Sequence, residues 1–250
     1  MKQSLIDALE ILADANQVEV FTGAGMSADS GIATYRDVQT GLWENVDPQA
    51  MASIDAWHRD PETMFAWYLW RAHLAQRAEP NAGHRALAAA RKVTVTTQNI
   101  DNLHERAGSE DVAHLHGSLF EFRCTDCATP YREQIALPTR PVGKITPPAC
   151  RECGGLIRPG VVWFGEPLPQ NEWVEAERRM STADALLIVG TSGMVYPAAG
   201  LPVTAYRRGI PIVEVSPQPT DLSQLASVVV TATAAEALPR ILSGRITSNP

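Results

Sequence analysis

A chain of 250 residues that is 45% hydrophobic fits a globular protein with one large core, or one core and a small module. A formal net charge of −7 argues against a phosphate-backbone ligand and suits a soluble enzyme, including one that handles basic polypeptides. No apolar run reaches membrane-spanning length, so the expectation is a cytoplasmic protein with neither membrane nor nucleic acid as a partner.

Met1 to Gln17 sets Leu5, Ile6, Leu9 and Leu12 at helical spacing. Asp7, Glu10 and Asp14 interrupt any apolar stretch of the signal-peptide kind, so this segment reads as a helix. Val18 to Thr22 reads as a strand running into Gly23-Ala24-Gly25-Met26-Ser27-Ala28. That is the relaxed G-x-G-x-x-[GA] pattern at a strand-to-helix turn, where missing side chains let the backbone approach a pyrophosphate. A dehydrogenase would follow it with a second strand ending in an acid. Here the chain continues Gly31-Ile32-Ala33-Thr34-Tyr35-Arg36-Asp37 into a Trp-rich stretch, so a dinucleotide would be held in another way.

Residues 37–79 read as a helical insertion, with Asp60 as N-cap and Pro61 in the first turn of a helix through Phe65, Trp67, Tyr68, Trp70, Arg71 and Leu74. Tyr68 and Arg71 share a helix face. A guanidinium beside a phenol suits a carboxylate, and a core-edge Tyr beside a solvated Arg is the alternative. His84 to Arg91 is a further helix. Val93 to Thr97 then forms a strand that empties into Gln98-Asn99-Ile100-Asp101, followed by His114-Leu115-His116-Gly117. Ligands of open α/β sheets sit beyond the C-terminal strand ends, so this polar tip is a candidate site in which His116 can take a proton near neutral pH; helix capping by Asn99 or Asp101 is the plainer alternative.

All four cysteines fall in two C-x-x-C pairs, Cys124/Cys127 and Cys150/Cys153, a pattern for one structural Zn²⁺ with no open coordination position. An extended segment from Arg158 to Glu166 follows. Strands are expected at Ala183 to Val189, Pro211 to Val215 and Ser227 to Val230, with helices from Pro197 to near Gly209 and from Glu236 to Leu242. Small or polar clusters follow the strands at Gly23, Gln98, Gly190 and Ser216. One Rossmann-like nucleotide site at a single sheet edge accounts for that convergence. The fold class is therefore α/β: a Rossmann-like open parallel sheet (1–36, 80–118 and 161–250), a helical insertion (37–79) and a small zinc-ribbon module (119–160).

Taken together, Gly23-Ala24-Gly25-Met26-Ser27, Thr34-Tyr35-Arg36-Asp37, Thr97 to His104, His114 to Gly117, both cysteine pairs, Phe164-Gly165-Glu166 and Gly190-Thr191-Ser192 resemble the sirtuins, NAD-dependent protein-lysine deacylases. Tyr68-Leu69-Trp70-Arg71 resembles the Tyr-x-x-Arg of the class III branch, which accepts negatively charged acyl groups, and Ala52 falls where that branch enlarges its acyl pocket. The resemblance implies that NAD⁺ is consumed, with nicotinamide, O-acyl-ADP-ribose and free lysine as products and His116 as general base. It also implies NAD contacts at Gly23, Ala24, Gly25, Tyr35, Arg36, Gln98, Asn99, Ile100, Asp101, Gly190, Thr191, Ser192, Ser216, Pro217, Gln218 and Ala234. An acyl-lysine substrate strand would lie along Val162, Phe164, Gly165 and Glu166. The sequence departs from the family at Tyr35, where Phe is usual, and at Ser216 and Gln218, which replace the common Asn and Glu. Those departures leave two other readings open: an NAD glycohydrolase or mono-ADP-ribosyltransferase, and a non-catalytic NAD-sensing module.

Overall fold

The computed structural model describes residues 2–32 and 51–245. Its main sheet has six strands: β1 (Val18–Thr22), β2 (Val93–Thr97), β3 (Val112–His114), β7 (Ala185–Val189), β8 (Ile212–Val215) and β9 (Val228–Val230). The order is β3-β2-β1-β7-β8-β9 and every pairing is parallel. The order reverses between β1 and β7, which is the switch point where a doubly wound sheet opens a crevice.

Burial explains the sequence of these strands. Every residue of β1, β7 and β8 is buried, as continuous apolar runs must be when helices cover both faces. On one face Val18, Val20, Leu187 and Val213 pack against α1 (Lys2–Asp14), α5 (Ala82–Ala89) and α9 (Ala234–Ile241). On the other, Phe21, Leu186, Ile188 and Ile212 pack against α7 (Gln170–Thr182) and α8 (Leu201–Arg207). The charged residue of β1, Glu19, also lies among the buried residues, with one carboxylate oxygen accepting from Thr94 Oγ1 at 2.5 Å.

A second lobe carries a three-stranded antiparallel sheet, β5-β4-β6, built from β4 (Gly117–Cys124), β5 (Pro130–Tyr131) and β6 (Ile157–Val161). Two helices cover it, α3 (Ile54–Arg59) and α4 (Pro61–Arg77). Asp60 caps α4 through the Thr63 N–H at 3.2 Å, with Pro61 in its first turn. Trp57, Phe65, Trp67, Tyr68 and Trp163 form the core of this lobe, with Trp57 and Trp163 ring centroids 5.3 Å apart. Two short helices, α2 (Gly25–Ala28) and α6 (Leu103–Ala107), follow the tips of β1 and β2.

Several elements differ from the expectation. Helix α7 occupies a stretch where no helix is expected, because only Trp173, Ala176 and Met180 of its residues join the core amid a charged surface. Ala183 caps that helix instead of opening the strand, which starts at Ala185. The last helix begins at Ala234, two residues before the expected Glu236, because Thr233 caps it in a capping box with Glu236. Strands β3 and β4 were not anticipated as strands; they meet at His114-Leu115-His116-Gly117, where the chain leaves one sheet for the other. Gly117 makes the crossing possible: its φ is +72°, and a Cβ there would stand 2.0 Å from the Gly160 carbonyl oxygen. Among the described residues, no helix is long and apolar enough to cross a membrane.

Candidate active site

The tips of β1, β2, β7 and β8 converge at the crevice. The Gly23 N–H donates to the Val189 carbonyl at 3.0 Å and the Gly25 N–H to the Gly190 carbonyl at 2.8 Å. A Cβ on Gly25 would lie 2.7 Å from Gly190 Cα, and one on Gly190 would lie 2.4 Å from the Gly25 carbonyl carbon. The glycines are therefore required for the two loops to touch each other, a constraint that adds to the expected approach of a pyrophosphate. Ala24 keeps a backbone N–H with no main-chain acceptor among the described residues, the kind of donor a phosphate takes at such a turn.

The β2 tip is bound to this turn. Asn99 Nδ2 donates to the Gly23 carbonyl at 3.0 Å and to Ser27 Oγ at 3.2 Å, and Ser27 Oγ donates to Asp101 Oδ2 at 2.9 Å. Asp101 Oδ1 accepts the Leu103 N–H at 3.0 Å, so its carboxylate holds the first residue of α6 from one position before the N-cap, which is Asn102 and not the expected Asn99 or Asp101. Burial raises the Asp101 carboxyl above its usual range, with the Leu103 N–H, the Ser27 hydroxyl and the charge of His114 opposing. Gln98 Nε2 donates to Thr191 Oγ1 at 2.8 Å, joining the β2 and β7 tips. The Ile100 carbonyl accepts the Leu119 N–H at 2.9 Å, and its side chain packs against the core of the second lobe. Ser27 is the member of this network not proposed from sequence; its signal was its place two residues after Gly25 in the same motif.

His116 lies at the junction of the sheets. Its Nδ1 is 3.0 Å from the Gln98 carbonyl. A carbonyl can only accept, so Nδ1 carries the proton and Nε2 keeps its lone pair. Burial holds this imidazole below its usual value, the Gln98 contact opposing, so it is neutral at pH 7. The His116 carbonyl accepts the Val162 N–H at 2.9 Å, which ties the histidine to the proposed substrate segment.

At the outer ring of the expected nucleotide set, Ser216 Oγ donates to the Gln218 carbonyl at 2.6 Å, so this hydroxyl shapes its own turn, while Pro217 and Gln218 are exposed. The Ser192 carbonyl accepts the Asp221 N–H at 3.3 Å. Ala234 starts α9 at the sheet's C-terminal edge, but its side chain is in the core. Tyr35 and Arg36 lie outside the described residues.

The substrate segment is more heavily engaged than a free edge strand. Besides the Val162 N–H, the Phe164 N–H donates to the Ala52 carbonyl at 2.8 Å and the Phe164 carbonyl accepts the Ile54 N–H at 3.4 Å. Gly165 has no main-chain partner among the described residues, and the Phe164 ring is exposed. Glu166, expected at the substrate edge, has its carboxylate engaged elsewhere. Arg158 grips it at 2.5 and 2.9 Å and the Trp163 N–H donates to it at 2.8 Å, so the carboxylate braces the segment whose main chain is the expected substrate edge. Arg158 is buried, its guanidinium 3.2 Å from the centre of the Trp163 ring. Sequence reasoning passed over it, although a charge opening an otherwise apolar strand was the available signal.

Tyr68 is buried against Trp67 and Trp163, at centroid distances of 4.8 and 5.7 Å. The half-buried Arg71 sets its guanidinium 4.9 Å from the Trp67 ring centre and 5.7 Å from that of Tyr68. Ala52 is buried in the same lobe.

The four cysteine sulfurs lie within 4.8 Å of one another, with 3.4 Å between Cys124 and Cys153 and 3.7 Å between Cys127 and Cys150. Tetrahedral Zn–S bonds of about 2.3 Å require sulfurs about 3.8 Å apart, so the set fits a structural zinc. The knuckles close because Gly155 lacks a Cβ, which would stand 2.3 Å from Asp126 Oδ2 and 3.1 Å from Cys124 Sγ.

Glycine turns that touch at the switch point, with His116 bonded to the carbonyl of Gln98 on the neighbouring strand tip, have the arrangement of a Rossmann-type nucleotide site. Residues 23–197 match the model of the Sir2 family. The chain is 60% identical over 250 residues to the NAD-dependent protein deacylase of Corynebacterium glutamicum, covering 98% of this chain and 97% of that one. Among solved structures it is similar to a Sir2 homologue in complex with NAD (TM-score 0.87, 40% identity, 95% and 92% of the two chains). It is also similar to a Sir2 protein bound to a deacetylated p53 peptide and 3′-O-acetyl ADP-ribose (TM-score 0.83, 32% identity, 97% and 99% coverage). The chain belongs to the Sir2 family.

Proposed function

We propose that this chain is an NAD-dependent protein-lysine deacylase that removes succinyl as well as acetyl groups. Deacylation with NAD⁺ as co-substrate follows from family membership and the near full-length likeness to a protein deacylase. The observation that carries the chemistry is the tautomer of His116. With Nδ1 donating to Gln98, the basic Nε2 is available to take a proton from a ribose hydroxyl of the bound dinucleotide. The network of Gln98, Asn99, Ser27 and Asp101 fixes the turn on which the ribose is seated, and preset geometry is what makes such a transfer fast. Zinc has no open position among four thiolates, so its contribution is to the fold of the second lobe.

Succinyl acceptance rests on Arg71 beside Tyr68 on α4. The aromatic rings of Trp67 and Tyr68 hold the guanidinium in place, the planar fork of an arginine matches a carboxylate, and charge-assisted bonds of this sort contribute about 1.5–3 kcal/mol. The test is mass spectrometry of O-acyl-ADP-ribose formed from two otherwise identical peptides, one acetylated and one succinylated. Arg71→Met is expected to cut succinyl transfer about 10- to 100-fold, from that same interaction energy, while largely sparing acetyl transfer. Equal loss of both would assign Arg71 to structure. Nicotinamide release without any acyl transfer would favour the glycohydrolase reading.

A further inference from the structure

Two histidines hold successive carbonyls of the β2 tip. His116 Nδ1 donates to the Gln98 carbonyl, and His114 Nδ1 donates to that of Asn99, both at 3.0 Å. They differ in what stands behind the ring. His114 Nε2 is 2.6 Å from Glu105 Oε1 on α6. A carbonyl and a carboxylate both accept, so both ring nitrogens of His114 carry protons and the ring is an imidazolium. Burial works against that charge, but the bond to Glu105, the charge of Glu105, the Asn99 carbonyl and Asp101 outweigh it and raise the affinity for the proton. The buried His104 of α6 also feels this charge.

Geometry gives the pair a purpose. Helix α6 has only five residues, and its start depends on the Asp101 carboxylate. Asp101 is itself buried, with Ser27 as its other partner. The Glu105–His114 pair therefore closes a ring: from α6 through the imidazolium to the Asn99 carbonyl, along the chain to Asp101, and back to α6. The same Asn99 reaches across to Gly23 and Ser27.

We propose that the His114–Glu105 ion pair is a positioning element of the deacylation reaction, holding the Gln98–Asp101 turn in the shape that seats NAD⁺ and presents His116. The inference rests on His116 being the base. Neither His114 nor Glu105 touches a reacting atom in this account. Both act through the turn.

The test uses the full-length, zinc-loaded enzyme with NAD⁺ and an acetyl-lysine peptide. His114→Leu removes both donors and is expected to raise KM for NAD⁺ and lower kcat, reducing kcat/KM about 10- to 100-fold, the scale of a misplaced reacting group. His114→Asn places an amide N–H where Nδ1 was but leaves Glu105 without its cation, and should recover only part of that loss. Glu105→Gln keeps a hydrogen-bond partner but loses the charge, and should fall between His114→Leu and the parent, with its activity declining at a lower pH than the parent's because burial then acts on the His114 proton without the opposing carboxylate. Wild-type kinetics in His114→Leu, or full recovery of kcat/KM in His114→Asn, would overturn the proposal. If His114→Leu fails to fold, the near-isosteric Asn and Gln variants decide it by the same measures. His116→Ala run in parallel separates the two ideas: if it keeps activity, the base assignment fails, whereas if it loses activity while the His114 series stays at wild-type rates, the positioning role alone fails.

Discussion

The two sheets of this molecule are stabilised by different means. In the parallel sheet, β1, β7 and β8 are buried at every residue and two layers of helices cover them, so burial of apolar surface is sufficient. The antiparallel sheet is short and partly exposed, and β5 has two residues. What its strands lack in burial the four cysteines supply by gathering the two knuckles at one point. The site falls where these regimes meet: the glycine turns belong to the first, the Val162–Glu166 segment to the second, and His116 is covalently part of the crossing between them. The glycine turns and the Val162–Glu166 segment are thus open to separate alteration.

Zinc removal should separate the two lobes most strongly. Structural zinc contributes on the order of 10 kcal/mol to small modules. Chelation is expected to expose all four thiols to a thiol reagent and to speed hydrogen exchange in β4, β5 and β6 while β1, β7 and β8 stay protected. Loss of protection everywhere at once would show that the lobes fold as one unit.

Gly190→Ala attacks the glycine turns. Its Cβ would stand 2.4 Å from the Gly25 carbonyl carbon at a φ of +61°, so a destabilisation of about 3 kcal/mol or more is expected by chemical denaturation, with the zinc thiols still protected. Glu19→Gln sharpens the comparison from inside the sheet. Burial raises the Glu19 carboxyl from 4.5 to about 7. Between those values the folded state holds a proton that the unfolded state has released, so the wild type loses stability as pH rises through that window. The loss approaches about 3 kcal/mol at the upper end. The glutamine variant should lack this dependence, so its stability relative to wild type should grow from pH 4.5 to 7. Parallel curves for the two proteins would refute the assignment.

Legibility in the sequence follows the same division. Strands β1 and β2 stand at their expected residues, because continuous or β-branched runs ending in glycine or amides have few other solutions. The convergence of the Gly23, Gln98, Gly190 and Ser216 clusters on one edge was also readable. Helix α7 was not, since its core stripe is three residues wide, and β3 was not, since three residues carry no period. Within the site, residue types were visible but their partners were not. That Glu166 turns inward to Arg158, that Ser27 links Asn99 to Asp101, and that the glycines touch each other are facts of tertiary contact.

The most direct test of the account is the acyl-transfer rate of His116→Ala, measured as O-acyl-ADP-ribose by mass spectrometry with zinc content and melting temperature recorded alongside. With Nε2 as the working base, loss of this ring is expected to reduce the rate about 10²- to 10⁴-fold in a protein that keeps its zinc and its fold. A rate within tenfold of the wild type would contradict the assignment of His116 as the base, and with it the chemistry read from the junction of the two sheets.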